Sequence, residues 1–315
     1  MQVVRVEEFG GPEVLKAGTA PDQVPEPGEA VIGVTACDVM FLDTLLRSGW
    51  GAGFFPVRPP YVPGSGVAGR VDGRRVVADT KEAVDGREIP VGGYASRAVL
   101  PTSEVIEVPD GLDDRSAVAL LHDGPTLQQL LTALGAAVGA RVLVTAAAGG
   151  AGVLLVQELT RRGVRVVAAA RGEAKLGVLR SLGASEVVDY GTAGWTDEVG
   201  HVEAVLDGAG GALGRAAFGL VADGGRFVSY GTAGGEFANP DPEEASRRGV
   251  AVTGLTDLPR IDRARRRALV ERTLAEAAAG HYHPVIGQTF PLERAAGAHA
   301  AIAARTTIGK TLLIP

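Results

Sequence analysis

Hydrophobic positions in the first 112 residues come in short runs. "EAVIGVTA", "RRVVAD" and "YASRAVL" are divided by Gly and Pro clusters, a pattern that predicts a compact, mostly β domain. The chain opens on a similar run, "MQVVRVEEFGGPEVL", which alternates like a strand. From about residue 113 the period changes. The apolar runs "RVLVTA", "VRVVAAA", "SEVVDY", "EAVLDG" and "GRFVSYG" alternate with helical stretches such as "GVLLVQELTRRG" and "EAKLGVLRSLG". Continuous hydrophobic strands of this kind belong to a parallel sheet covered on both faces, so the pattern predicts a doubly wound α/β domain. "VAVTGL" is expected as its sixth strand, a basic helix follows around 262–279, and the closing "GKTLLIP" strand is expected to return to the first domain. The expected boundaries are 1–112 with 257–315 for the β domain and 113–256 for the α/β domain.

Composition narrows the function classes. A chain of 315 residues with 46% hydrophobic content can build one large or two ordinary cores. The net charge of -6 argues against a nucleic-acid surface, which needs clustered Lys and Arg. The single cysteine, Cys37, rules out an intramolecular disulfide and fits a reducing compartment. Neither a signal peptide nor a membrane span is expected, which points to a cytoplasmic protein.

The stretch "VLVTAAAGGAGVLLVQ", residues 142–157, sheds its side chains between an expected strand and an expected helix. In that place a pyrophosphate can sit on free backbone N–H groups at the positive end of the helix dipole. Gly149 would admit close approach of the backbone, with Gly150 and Ala151 opening the helix, and Gly152 would allow close packing of helix on strand. The first glycine of a dinucleotide fingerprint is replaced by Ala147, and a tight turn without a ligand also accounts for the glycines. The next strand, "VRVVAAARGEAK", ends on Arg171 with Lys175 one helical turn later, where an NAD site has an acidic residue and an NADP site a cation. Cations at a helix start oppose the dipole, so a 2′-phosphate gives them a reason to be there.

Several stretches together resemble the zinc-independent quinone oxidoreductases, the zeta-crystallin-like branch of the medium-chain dehydrogenase/reductase superfamily. They are "FGGPEVL", "FLDTLLRSGW", "VPGSGVAG", "GGYASRAVL", "TAAAGGAGV", "RSLGASEVVDY" and "RTTIGKTLLIP", spread over nearly the whole chain. The resemblance implies a GroES-like catalytic domain beside a Rossmann domain, NADPH as cofactor, and commonly a homodimer joined through the α/β sheets, with "GGRFVSYG" and "VAVTGL" as the joining strands. The family's A-x-x-G-x-x-G turn falls on Ala146, Gly149 and Gly152. Its 2′-phosphate contacts fall on Lys175, Tyr190 and Arg305, and its nicotinamide contacts on Thr126, Gly231 and Thr232. Zinc-dependent relatives carry a catalytic cysteine at Met40 and a His-Glu pair at Ser65 and Gly66, so no metal is expected. His281 and His283 read as surface or packing histidines. The implied chemistry is hydride transfer from NADPH to a quinone or an α,β-unsaturated carbonyl.

The chain also departs from that pattern. Met40 replaces a pocket asparagine and Leu45 a tyrosine, which removes two hydrogen-bonding groups. Asp43 is kept and reads either as a cap or as a catalytic carboxylate. Asp38 replaces a glycine, and His122 with Asp123 introduces titratable groups. His122 reads either as a proton donor to an enolate or as a helix cap. The link between "VAG" and "GRRVV" is short and should alter the pocket rim. The basic run "RIDRARRRALVERT" has Ile261, Ala264, Ala268, Leu269 and Leu274 at helical spacing, which predicts a packed helix with a solvated basic face. The lack of interleaved aromatics counts against a base-stacking platform for nucleic acid. Two alternatives stay open beside the quinone or enone reductase: an enoyl thioester reductase, and an NADPH-binding sensor or structural protein with little turnover.

Overall fold

The protein is described by a computed structural model that covers residues 1–50, 55–84 and 87–315. It divides into two units: Met1–His122 with Val270–Gly280 and Pro284–Pro315, and Asp123–Leu269 with His281–His283.

The first unit is mostly β. β1 (Gln2–Val6) pairs antiparallel with β2 (Leu15–Thr19). β3 (Glu29–Val39) leads into the short helix α1 (Phe41–Arg47). Then come β4 (Gly66–Val71), β5 (Arg74–Asp79), β6 (Glu82–Val84), β7 (Arg87–Ile89), β8 (Arg97–Pro101) and β9 (Ile106–Glu107). The link between β4 and β5 is short, as the sequence shows: Asp72 and Gly73 both have positive φ, +49° and +80°, the geometry of a type I′ hairpin turn. β3 alternates buried and outward positions up to Ala36, where its register with β4 shifts, and from Ala36 to Val39 every residue is buried. The polar residue in that buried segment is Asp38. Ile32, Val67, Val76, Tyr94 and Leu313 are central to the core of this unit.

Helix α2 (Asp114–Leu134) contributes to both units and contains Pro125, whose missing N–H leaves the carbonyl of Leu121 without a helical donor. The second unit continues with β10 (Arg141–Thr145), α3 (Gly150–Arg161), β11 (Arg165–Ala170), α4 (Glu173–Ser181), β12 (Glu186–Asp189), α5 (Trp195–Val199), β13 (Val202–Asp207), α6 (Gly211–Gly219), β14 (Val221–Ser229), α7 (Pro242–Arg248) and β15 (Ala251–Gly254). Its six strands are all parallel, in the order β12-β11-β10-β13-β14-β15, so the α/β expectation holds. Helical crossovers cover both faces, which is why Val142–Val144 and Val166–Ala169 are buried without alternation. The direction of strand order reverses between β10 and β13, where such sheets open a crevice beyond the carboxyl ends of the strands. Of the two strands expected to join a dimer, only β15 lies at an edge, since β14 is paired on both sides.

Helix α8 (Arg263–Ala278) is followed by β16 (Gln288–Pro291), α9 (Ala295–Ala303) and β17 (Thr311–Ile314). β17 returns to the first unit as expected and pairs antiparallel with β3, Leu312 opposite Asp38. The expected buried stripe of α8 needs correcting. Ala264 and Ala268 are exposed, and the buried positions are Leu269, Val270, Thr273, Leu274 and Ala277. The first turns are ringed by arginines and carry only small apolar side chains, too little apolar surface to require burial. No described helix is long and apolar enough to cross a membrane.

Candidate active site

In the second unit the glycine turn runs from Ala146 to Gly149 and α3 starts at Gly150. Ala146 takes the left-handed conformation, φ +50°, a region that costs a non-glycine residue about 1 kcal/mol. Gly149 is exposed, and neither a side-chain cap nor an acidic residue occupies the first turn of α3. The N–H groups of Gly150, Ala151 and Gly152 are therefore available, with the positive end of the dipole behind them. Gly152 is held by packing, because a Cβ there would lie 2.5 Å from the carbonyl oxygen of Ala147 and 2.7 Å from that of Ala146.

Beneath this turn lies a clamp that sequence reasoning missed. Thr145 donates through its hydroxyl to Asp207 Oδ1 at 2.7 Å, and Oδ1 also accepts from the N–H groups of Ala209 and Gly210, both at 3.1 Å. The clamp ties the ends of β10 and β13 together at the point of reversal. Burial raises the Asp207 pKa, opposed by these hydrogen bonds. The one available signal was an aspartate closing a hydrophobic strand before glycines, in "VLDGAGG". Gly231 and Thr232 follow β14, and a Cβ on Gly231 would lie 2.2 Å from the carbonyl oxygen of Gly208, so only glycine fits there.

Arg171 and Tyr190 stand at the adjoining ends of β11 and β12, one residue beyond the paired Ala170 and Asp189. Arg171 is exposed, its side chain lies along Gly191, and Lys175 sits in the first turn of α4. Asp189 is the nearby carboxylate, and it faces the backbone: Oδ2 accepts from Gly172 N–H at 2.9 Å and Oδ1 from Gly191 N–H at 2.7 Å. The ring of Tyr190 meets Trp195 edge-on, with centroids 6.4 Å apart. Thr126 is half-buried on α2. Arg305 belongs to the first unit, where its guanidinium lies 4.7 Å from the Phe41 ring centroid.

The first unit holds two buried polar constellations. One joins α1 to the core. Asp43 Oδ2 accepts from the Met40 N–H at 2.9 Å, so the cap role of Asp43 is realised, and it also accepts from the Tyr94 hydroxyl at 3.0 Å. The Tyr94 hydroxyl in turn meets His299 Nε2 at 2.9 Å. Met40 and Leu45, at the start and in the body of α1, are half-buried. Burial pushes the Asp43 pKa up to about 7 against the lowering hydrogen bond from Met40, while burial takes His299 down to about 3. Since the folded pKa of Asp43 exceeds its unfolded value of 3.8, ionising it costs stability as pH rises from about 4 to about 7. Asp43→Asn should therefore gain on the wild type between pH 4 and pH 8 by on the order of 3 kcal/mol. Denaturant unfolding at the two pH values checks this, and an unchanged difference would refute it.

The second constellation joins side chains of β3, β5 and α2 with the residues just before β4 and β17. His122 Nδ1 lies 3.2 Å from Asp38 Oδ2, and its Nε2 lies 2.8 Å from Asp79 Oδ1 and 3.2 Å from the Ser65 hydroxyl. Lys310 Nζ bridges both oxygens of Asp38, at 2.8 and 2.9 Å. Asp38, Ser65 and Lys310 are all buried. Burial disfavours the charged form of His122, but the Asp79 charge and hydrogen bonds to both carboxylates outweigh it and raise its pKa to about 9. Burial likewise acts to raise Asp38, and Lys310 and His122 together take it below the usual carboxylate range. The cap reading of His122 is overturned, because His122 lies inside α2 with both ring nitrogens engaged. The sequence had marked Asp38 and His122 as unusual, but nothing in it joined them to Asp79 and Lys310. Zinc does not fit here: both nitrogens of His122 face carboxylates, and a side chain at Gly66 would meet His122 Cε1 at 2.9 Å. Among the described residues no cluster of three His, Cys, Asp or Glu is able to hold a metal.

Comparison with known proteins adds three relatives and one family. A family described as zinc-binding dehydrogenase matches residues 182–313. The quinone oxidoreductase of Mus musculus is 30% identical over 317 residues, covering 96% of this chain and 94% of its own. A quinone oxidoreductase from Thermus thermophilus, solved also in complex with NADPH, is 33% identical with a TM-score of 0.83, covering both chains in full. An NAD-dependent alcohol dehydrogenase is 27% identical with a TM-score of 0.87, again over both full chains.

Proposed function

Because the chain belongs to the quinone oxidoreductase family of the medium-chain dehydrogenase/reductase superfamily, we propose that it is an NADPH-dependent oxidoreductase that passes hydride to a quinone or an α,β-unsaturated carbonyl compound. The observation that carries the cofactor is the open N-terminus of α3 at the reversal of strand order, with exposed Arg171 one strand away. In this reading Gly149, Gly150, Ala151 and Gly152 receive the pyrophosphate on backbone N–H groups, and Arg171, Lys175 and Tyr190 receive the 2′-phosphate. Asp189 does not oppose them, since its oxygens are taken up by the amides of Gly172 and Gly191. Thr126, Gly231 and Thr232 hold the nicotinamide side, and Arg305 contributes by the family pattern. Bound there, NADPH supplies the hydride.

The protein's own part is positioning and electrostatics. Met40 and Leu45 offer an apolar wall where relatives of the family place polar groups, which suits an acceptor with a large apolar face. The same two positions also support a second reading, in which the cofactor binds with little turnover. A thioester of an enoic acid falls within the acceptor class and is tested with it. Association through the edge strand β15 is part of the proposal.

Cofactor titration by fluorescence and loss of reduced-nicotinamide absorbance, with quinones, enones and enoyl thioesters as acceptors, test the proposal. NADH run in parallel answers the likeness to the NAD-dependent enzyme. Arg171→Ala with Lys175→Ala should weaken NADPH binding on the order of 100-fold or more, since each charged contact to phosphate is worth roughly 1.5–3 kcal/mol, and leave NADH nearly unchanged. Equal losses for both cofactors would remove the 2′-phosphate assignment. Tight binding without turnover of any acceptor would establish the second reading instead.

A further inference from the structure

We propose that Asp207 and Thr145 are positioning residues for the nicotinamide half of the cofactor, holding Gly231 and Thr232 in place from beneath without touching the cofactor themselves. The inference rests on the cofactor reading given above and deepens it by separating the two halves of that site. All of its residues belong to the second unit.

The sheet ladder stops short of the nicotinamide-side loop. Its last paired residues on the three central strands are Thr145, Asp207 and Ser229, side by side on β10, β13 and β14. Beyond them side chains continue the connection. The N–H groups of Gly208 and Ala209 donate to the Thr145 hydroxyl oxygen, both at 3.1 Å, while that hydroxyl donates to Asp207 Oδ1. Oδ1 also accepts from Ala209 and Gly210, and Oδ2 from Gly210 N–H at 3.2 Å and the Ser229 hydroxyl at 3.5 Å. The N–H groups of three successive residues after β13 therefore turn inward onto two buried side chains.

That segment is the seat of the loop. The backbone carbonyl of Asp207 accepts from Tyr230 N–H at 2.9 Å and Gly231 N–H at 3.1 Å, and that of Ala209 from Gly234 N–H at 2.6 Å. A Cβ on Gly208 would lie 2.6 Å from the Tyr230 hydroxyl, one on Gly231 2.2 Å from the Gly208 carbonyl oxygen, and one on Gly210 2.7 Å from that of Gly231. Backbones packed this closely shift together. Thr145 and Asp207 are fully buried and Gly231 and Thr232 half-buried, so a ligand can reach the loop but not the clamp. The adenosine half has other supports. Ala147 N–H anchors the glycine turn to the Ala169 carbonyl at 3.1 Å, and Arg171 and Tyr190 stand beyond β11 and β12. Removing the clamp should weaken one half of the site and spare the other.

The test uses the whole protein and two probes: NADPH, and 2′,5′-ADP, which carries the adenosine and 2′-phosphate but no nicotinamide. Asp207→Ala and Thr145→Val should each weaken NADPH binding about 10- to 100-fold, the effect of one or two buried N–H groups left without an acceptor. Affinity for 2′,5′-ADP should stay within about twofold, and the emission of bound NADPH should move toward that of the free cofactor. Asp207→Asn keeps an oxygen for the Thr145, Ala209 and Gly210 donors and should restore most of the NADPH affinity. In the cofactor-free protein the Gly231 amide should exchange faster in both clamp variants relative to that of Val167 in β11. If Asp207→Ala does not fold, Thr145→Val decides, since it keeps the shape of the side chain. Equal losses for both probes, or NADPH affinity and Gly231 exchange at wild-type values, overturn the positioning role and leave the cofactor reading standing. A wild type that binds neither probe overturns both.

Discussion

Lys310→Met should destabilise the first unit by about 3–5 kcal/mol, the loss expected when one partner of a buried ion pair is removed and the other is left charged. Lys310 is 6% exposed and Asp38 is fully buried, so water has little access to replace the ammonium. Within the cluster His122 then remains to balance two carboxylates. Strand register explains the wild-type contact: β17 sets Leu312 opposite Asp38, which brings Lys310 beside the carboxylate it binds. Hydrogen exchange should report the loss in the amides of β3 and β17, whose protection should fall by a factor on the order of 10²–10³. The deficit should shrink in acid, because Asp38 freed of its ammonium can be neutralised by protonation. Protection within a few-fold of wild type at neutral pH would show that Lys310 does not stabilise this region.

Gly152→Val should be comparably damaging in the second unit, by about 3–5 kcal/mol, and should abolish NADPH binding. The obstructing atoms at 2.5 and 2.7 Å are backbone carbonyl oxygens of Ala147 and Ala146, which have no rotamer through which to move away. Helix α3 would have to lift from β10, taking the N–H groups of its first turn away from the ligand. Gly149→Ala supplies the contrast. Its Cβ would lie 3.3 Å from the Ala146 oxygen, a tight contact that a small shift relieves, and Gly149 is exposed. That variant should melt close to the wild type and still bind NADPH more weakly, because the added methyl occupies the face offered to the pyrophosphate. Melting followed by circular dichroism and cofactor titration separate the two effects. A Gly152→Val protein with wild-type melting would show that α3 does not depend on this close approach.

The two units differ in how much of them could be read from the chain. In the second, each signal was local. Strands such as β10 and β11 are apolar at every position because both faces are covered, and their glycine turns and end charges follow within a few residues. Arg171 and Lys175 were singled out from that local pattern and Tyr190 through the family resemblance, and the three stand at neighbouring strand and helix ends. The Asp207 clamp escaped because an aspartate at a strand end has no side-chain period to mark it. On α8, regular spacing marked Ala264 and Ala268 as buried, but spacing carries no information on which turns of a helix another element covers.

What the sequence by itself determined is the fold class, the glycine turn, the cationic strand end and the replacement of the zinc-site residues, each of them readable from a short local stretch of chain. Only the tertiary structure decided that Asp38, Asp79, His122 and Lys310 form one cluster, and that Asp43 shares a buried network with Tyr94 and His299. The reason is physical. Periodicity reports how a single element meets its surroundings, whereas a buried charge is tolerated only because of partners that strand register brings from distant parts of the chain.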